Sequence, residues 1–431
     1  MPLNILIVAE SASLKFGGEA ALPLHYFRVL RQRKIPTWLV VHARTRDELL
    51  TTFADDQDRI FYVEDSLLHQ LLWKLGKLLP ARLANFSTAF VMRLLTQLTQ
   101  RRVIRKLIRE HGISVVHQPM PVSPKEPSML FGLGVPVVIG PMNGGMEYPP
   151  GFMDMQSLPV RLGLMLGRRI SNILNRLIPG KINAAVLLVA NPRTRAALPS
   201  GVRGRVLNIV ENGVDLKLWK TPTESRTPAL HTRYAFVGRL VDWKATDKLL
   251  LAFQQASSQA PMSLTIIGDG PERPKLEDLA HELKIYGSTV ASAGLVTFAG
   301  WMTQSQCAEQ LRECDALVLP SLLECGGAVV LEAMAMAIPV IATAWGGPVD
   351  YLDETCGVLV QPTNADLFVT NMAAALVQVA RDPQARGEMG KAGRNKVVNE
   401  FDWEAKVDRV LQIYGEAIAD GTQTESVAVT R

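Results

Sequence analysis

Four ionisable residues in the second half of this 431-residue chain have the types and spacing that chemistry needs. Arg239 and Lys244 stand five positions apart in "FVGRLVDWKATDK", directly after a run of strand character. Two cations converging near the start of a following helix can neutralise the charge that grows as a phosphate departs. Taken alone, the pair could equally be two solvated loop charges. Glu324 and Glu332 stand eight positions apart in "PSLLECGGAVVLEAMAMAIPVIAT", around the pair Gly326-Gly327 and in otherwise apolar sequence. Carboxylates in such surroundings must be satisfied, either by a lysine or arginine or by a ligand with several hydroxyl groups. The glycine pair lets backbone approach a ligand closely. The amides from Gly326 to Ala328, at the start of the helix behind it, can face an anion or a hydroxyl. Glu332 lies a turn or so inside that helix, within reach of a ribose diol, and Glu324 sits on the loop, able to accept from a sugar hydroxyl.

Other chemistries fit less well. "IIGDGPERPK" has a Gly-x-Gly at a strand-to-helix turn, but the third glycine of a dinucleotide fingerprint would fall at Arg273, which argues against a nicotinamide cofactor. "DDQD" over 55–58 contains the Asp-x-Asp pattern of manganese-dependent sugar transfer (Asp56-Gln57-Asp58), but it lies in a polar loop between a helix and a strand and reads as solvated. The seven histidines show no metal spacing, and no Ser-His-Asp or Cys-His constellation surrounds a nucleophile motif. The expectation is therefore no metal and no cofactor, with Arg239 and Lys244 supplying the charge that a cation would otherwise bring.

The elements that must position these residues recur twice along the chain. Short apolar runs at 4–10, 37–44, 59–65, 114–118 and 136–141 alternate with helical patterns, and a second series follows at 233–239, 263–270, 296–300, 316–321 and 339–343. Strands alternating with helices imply parallel sheets covered on both faces, in which ligands bind beyond the carboxyl ends of the strands. That rule selects Gly17-Gly18, His117, Asn143-Gly144-Gly145, Arg239, Gly268 to Gly270, and Glu324. Residues 1–215 and 216–401 are expected to form two Rossmann-like domains, joined through the Pro- and Thr-rich stretch 220–233. A helix over 402–419, with apolar positions at 407, 410, 411 and 414, could return to the first domain. The polar segment 420–431 reads as a disordered tail.

Charge divides unevenly. Residues 1–215 hold 27 Lys+Arg against 15 Asp+Glu, and residues 216–431 hold 19 against 26. Much of the basic excess lies in two helical patterns: 67–110, with nine Lys or Arg and one acid, and 158–181. Basic amphipathic helices suit an anionic membrane surface as well as a solvated domain face; nucleic acid is disfavoured by the few aromatics and the lack of a binding module. The opening "MPLNILIVAES" reads as a first core strand and not as a signal peptide. No run is long and apolar enough to span a bilayer, and four cysteines without Cys-x-x-Cys spacing suit a reduced, cytoplasmic compartment.

"VENGVD", "VGRLVDWK", "IGDGP" and "PSLLECGGAVVLEAMAMAIPVIA" together resemble, in order and spacing over 208–360, the retaining family 4 glycosyltransferases. "FGGEA" (16–20), "VVHQPMP" (115–121) and "IGPMNGGMEYPPGF" (139–152) extend the resemblance into the first half. It implies an α/β protein of the GT-B fold, two Rossmann-like parallel-sheet domains facing each other across a cleft. The second would bind a UDP- or GDP-sugar and the first a glycan or lipid-linked acceptor. In that picture Arg239 and Lys244 grip the diphosphate, Glu332 holds the ribose, and Glu324 with the amides of Gly326, Gly327 and Ala328 holds the donor sugar. Gly17, Gly18 and Gly268 pass close to the donor, His117 contacts the transferred sugar, and Asn143, Gly144 and Gly145 lie on the acceptor side. The implied activity is metal-independent hexosyl transfer with retention, in polysaccharide, lipopolysaccharide or glycolipid synthesis, at the inner face of the cell membrane. The alternatives are a nucleotide-sugar epimerase or hydrolase of the same fold, and a nucleotide-sugar-binding partner subunit without catalysis. The sequence departs from the resembled pattern at Cys325-Gly326, where Gly-Phe is usual, and at Ala245 and Ala337, where glycine is usual.

Overall fold

The computed structural model of the protein describes residues 3–16, 18–78, 87–156, 158–221, 230–287 and 294–429. The chain forms two compact units. The first comprises Met1–Gly145, Leu162–Asn212 and Lys406–Arg431, and the second Met146–Arg161 and Gly213–Ala405.

In the first unit seven parallel strands form one sheet: β1 (Ile5–Val8), β2 (Thr37–His42), β3 (Ile60–Val63), β4 (Val115–Gln118), β5 (Val137–Met142), β6 (Val186–Val189) and β7 (Arg205–Asn208), in the order β3-β2-β1-β4-β5-β6-β7. In the second, six parallel strands follow the same plan: β8 (Thr232–Val237), β9 (Met262–Ile267), β10 (Val296–Gly300), β11 (Ala316–Leu319), β12 (Val340–Thr343) and β13 (Gly357–Val360), in the order β10-β9-β8-β11-β12-β13. Ile-Leu-Ile-Val in β1 and Ala-Leu-Val-Leu in β11 are buried at every position. Continuous apolar strands of this kind are what helices on both faces demand. Each order reverses once, between β1 and β4 and between β8 and β11, and such a switch point opens a crevice at the carboxyl ends.

Three strands lie outside the expected series. β6 and β13 are four-residue apolar runs, too short to separate from a buried helix turn by periodicity. β7 is an edge strand with exposed ends and carries no apolar run at all. Most of the expected linker, 222–229, lies outside the described residues, and β8 already begins at Thr232, inside that stretch. The last helix, Trp403–Val429, packs into the first unit from Lys406 on, burying Val407, Val410, Ile413, Tyr414 and Ala417. The helix is assigned as far as Val429 and so runs into the segment 420–431. Gly421 is the one strong helix breaker between 420 and 429, and a single glycine weakens a helix by only about 1 kcal/mol.

Candidate active site

Three of the residues expected in the second unit's site, Arg239, Lys244 and Glu324, converge on its switch point. Arg239 follows β8 directly, and Glu324 lies on the loop after β11, the neighbouring strand on the other side of the reversal. A one-turn helix, Asp242–Lys244, carries Lys244 back toward the sheet, with its Cε 3.8 Å from where a side chain on Gly238 would begin. There Lys244 Nζ pairs with Glu324 Oε2, and both side chains are largely buried, 16% and 14% exposed. Leu322 N donates to Trp243 O at 2.8 Å, tying the two loops together beside the ion pair. Arg239 is exposed and makes no ion pair among the described residues. The site therefore holds one paired and one exposed cation.

Gly268 and Gly270 serve the packing of the strand ends. A side chain on Gly268 would start 1.9 Å from the carbonyl oxygen of Gly238, and one on Gly270 2.2 Å from that of Leu240. Gly268 N donates to Gly300 O at 2.8 Å and Leu240 N to Asp269 O at 2.9 Å. The Gly-Asp-Gly stretch thus joins the ends of β8, β9 and β10, and Arg273, where a third glycine was looked for, pairs with Glu277 at 2.8 Å. Beside this junction is a cavity of about 400 Å³ lined by Gly238, Arg239, Gly268, Asp269, Trp301 and Cys307, among others. Trp301 is 73% exposed on the loop after β10, an apolar ring held at the cavity wall.

Glu332 lies half-buried on the helix Ala328–Ala335, near enough to Cys307 for its charge to act on that thiol. The Cys307 thiol that lines the cavity is pushed up to about 11, first by burial and then by the Glu332 charge. Burial raises the Glu332 carboxyl to about 7. Gly327 caps the helix in the left-handed conformation at φ +78° and packs against the stem of Glu324. A second glycine pair after a strand, Gly346-Gly347, escaped the sequence reading. Gly347 N donates to Glu324 O at 2.7 Å, and a side chain on Gly346 would start 2.3 Å from that oxygen. These glycines hold the Glu324 loop against the end of β12. Asp269 falls within the selected stretch Gly268 to Gly270, whereas Trp301 and Cys307 do not follow from the sequence reading; the signal for Trp301 is an aromatic residue directly after a strand.

In the first unit the expected sites fare differently. Gly17 lies outside the described residues, and Gly18 opens the helix Gly18–Gln32 after β1 with open space where a side chain would point. His117 is not at the mouth of the sheet. It is fully buried within β4, its Nε2 2.6 Å from Gly140 O and its Nδ1 2.6 Å from the Tyr414 hydroxyl. Burial lowers its pKa to about 4. Both ring nitrogens are thus engaged by the protein, so neither is left to bond a sugar hydroxyl in this arrangement. Asn143 is likewise buried: its amide donates to Glu211 Oε1 at 2.8 Å, and its oxygen accepts from Asn191, Arg193 and Thr194 at 3.3 Å each. Gly144 exchanges bonds with Thr194 and Arg193, and Gly145 turns at φ +73° against Ala197. These three residues fix the loop after β5 to the helix Pro192–Ala196. The rest of that loop passes to the second unit, where Glu147 O accepts from Trp345 Nε1 at 2.8 Å and Phe152 meets Phe368 edge-on. Asp56 of the Asp-x-Asp pattern is bonded to Arg31 at 2.7 Å, and Asp58 to Arg59 at 3.0 Å.

Residues 227–396 match the family model described as glycosyl transferases group 1. The fold of the whole chain is GT-B, as in the Anabaena protein HepE solved in complex with UDP, which matches at a TM-score of 0.65 and 15% identity over 96% of this chain and 100% of that one. Among curated relatives, glycogen synthase of Mycobacterium tuberculosis is 28% identical over 211 residues, 48% of either chain. D-inositol 3-phosphate glycosyltransferase of Salinispora arenicola is 32% identical over 274 residues, 56% of this chain and 57% of its own. The chain spans about half the length of the curated relatives it matches.

Proposed function

We propose that this protein transfers a hexosyl group from a UDP- or GDP-sugar to a lipid-linked or glycan acceptor, with retention at the anomeric carbon and without a metal ion. The observation that carries the reading is the meeting of Arg239, Lys244 and Glu324 at one switch point, beside a cavity that Trp301 and Arg239 line. A nucleobase would lie against Trp301, the ribose hydroxyls would reach toward Glu332, and the diphosphate would pass between Arg239 and Lys244. The sugar would then meet Glu324 and the amides at Gly326, Gly327 and Ala328. Leaving-group charge builds on the diphosphate as the glycosidic bond to it breaks, and the two cations stabilise it. Glu324, the carboxylate beside Lys244, is paired and so is not a free general base. The departing diphosphate oxygen is accordingly the group that takes the acceptor proton, on the face where the new bond forms. That glycogen synthase and an inositol-phosphate glycosyltransferase share half their length with this chain supports glycosyl transfer as the reaction class.

The acceptor is read as membrane-borne, because the first unit carries the chain's basic excess. Among the described residues no helix is long and apolar enough to cross a bilayer, so attachment would be peripheral. The test is the release of UDP or GDP from its sugar in the presence and absence of candidate acceptors. Release that needs acceptor, and that falls by about 100-fold in Arg239→Ala, is expected; equal release without acceptor would mean a hydrolase.

A further inference from the structure

We propose that the first unit docks on an anionic lipid bilayer through the apolar face of the helix Leu67–Gly76, with the helix Leu158–Leu177 as a second contact. The proposal names the docking face for the membrane-borne acceptor read above and rests on that part of the reading. Leu67, Leu71 and Leu75 recur at helical spacing and share one face of the helix, with Leu78 in the turn just beyond it, and the four are 83%, 53%, 46% and 81% exposed. The opposite face is the one attached to the protein: His69 is buried and its Nε2 lies 3.2 Å from Thr96 Oγ1 of the helix Thr88–His111. The helix is therefore amphipathic in reverse, with leucines outward and its one buried residue a histidine. On the second helix Ile170, Ile173 and Leu177 repeat the pattern and are also exposed, while Ser171 and Asn175 turn inward to Lys125 O at 2.5 and 3.0 Å.

Charge identifies the occupant. Residues 66–109 contain nine Lys or Arg and no Asp or Glu, and residues 155–210 again nine and none. A second copy of the chain would set basic side chains against basic ones. A bilayer with anionic headgroups offers hydrocarbon to the leucines and phosphate to the cations at their border. Lys74 and Lys77 occupy that border, and Lys77 Nζ sits 3.6 Å above the exposed Trp73 ring; tryptophan favours the headgroup level. The helix Leu158–Leu177, and the helix Thr88–His111 on which Leu67–Gly76 rests through His69, are tied to the segment that follows β4. Ser171 and Asn175 hold Lys125, and Arg93 of the helix Thr88–His111 pairs with Glu126 at 2.8 Å. That segment leaves the carboxyl end of β4 at the first unit's own switch point, where a ligand of this unit would sit.

The experiment is co-sedimentation of the full chain with phosphatidylglycerol–phosphatidylcholine vesicles and with phosphatidylcholine alone, at low and high salt. UDP and GDP binding is measured on the same samples. Wild type should bind the anionic vesicles. Leu67→Glu with Leu71→Glu should lose at least about tenfold in partitioning, and Lys74→Gln with Lys77→Gln should lose mainly the preference for anionic lipid. Nucleotide binding should be unchanged in both variants, since neither touches the second unit. Wild type that binds nucleotide but stays off vesicles overturns the docking face and leaves the transfer reading standing. Equal vesicle binding by the glutamate variant overturns it too. So does a wild-type dimer that the glutamate variant dissociates, because a second copy would then cover the face. Vesicle binding through Leu67 and Leu71 without nucleotide binding supports the docking face and sinks the transfer reading.

Discussion

Glu324→Gln and Lys244→Met should change the affinity for a bare nucleoside diphosphate in opposite directions. Lys244 is held by Glu324, so a diphosphate that takes up the lysine must draw it away and also lie near an uncompensated carboxylate. Two unit charges about 4 Å apart interact by roughly 4 kcal/mol at an effective dielectric of about 20, whereas freely solvated pairs contribute about 0–1 kcal/mol. With the two side chains 16% and 14% exposed, the pair lies between these limits. Replacing the carboxylate by an isosteric amide should therefore tighten UDP or GDP by about 1–2 kcal/mol, or roughly five- to thirtyfold. Lys244→Met removes a diphosphate cation and strands a largely buried carboxylate, so binding should weaken by at least as much. Titration calorimetry at neutral pH reads both, and added salt should narrow the difference. Turnover separates the roles further: Glu324→Gln should lose about 100-fold despite tighter nucleotide, because the donor-sugar contact goes. Weaker nucleotide binding in both variants would refute the argument, since Glu324 would then be supporting the phosphate site and not competing for its cation.

Glu332 gives a pH signature. Its carboxyl, raised by burial to about 7, contributes stability that is fully present below the unfolded value near 4.5 and is lost as pH rises through about 7. Wild type should thus lose up to about 3 kcal/mol relative to Glu332→Gln between those limits in urea melts, and a constant difference between the two would exclude the effect. His117→Ala should destabilise the fold by about 2–4 kcal/mol, because it opens a cavity and leaves Gly140 O and the Tyr414 hydroxyl without their partner. Surviving protein should keep near-normal kcat/KM, and a large loss of kcat in folded enzyme would restore a catalytic role. EDTA should leave turnover unchanged, whereas a loss reversed by manganese would bring the Asp56-Gln57-Asp58 pattern back into play despite the Arg31 contact.

Which of these residues could be read in advance follows from what a parallel sheet does with them. Arg239 and Glu324 are legible because each follows an apolar run, and parallel order brings successive carboxyl ends to one edge without knowledge of the fold's details. Their meeting at the reversal between β8 and β11 needs only the strand order. The Lys244–Glu324 bond is less accessible, since the partners are 80 positions apart and nothing local says which cation a carboxylate will choose. His117 is hard to read for a related reason. It stands one residue before the carboxyl end of β4, where both faces of a parallel sheet are still covered, and the hydroxyl that claims its ring comes from Tyr414, 297 positions later. The helix that brings Tyr414 is held by Lys406, whose buried ammonium donates to the carbonyls of Val210, Glu211 and Asn212. No periodicity announces that anchor.

Ala245 and Ala337 show where local signals lose their force altogether. Glycine is the residue usual at both positions in the resembled family. Both alanines nevertheless adopt the left-handed conformation, at φ +51° and +57°, which disfavours an L-residue by roughly 1–2 kcal/mol. Ala245 N donates to Asp242 O at 3.0 Å and Ala337 N to Met334 O at 2.9 Å, closing the same turns a glycine would close. The strain is borne because Lys244 must point back at the sheet and because the chain must turn from the helix Ala328–Ala335 into β12. A glycine in such a loop is therefore a sign of left-handed backbone, but its replacement is no sign that the backbone has changed. Tertiary contacts of the switch point dictate these two turns, and the residue at each only sets how much of the folding free energy they consume.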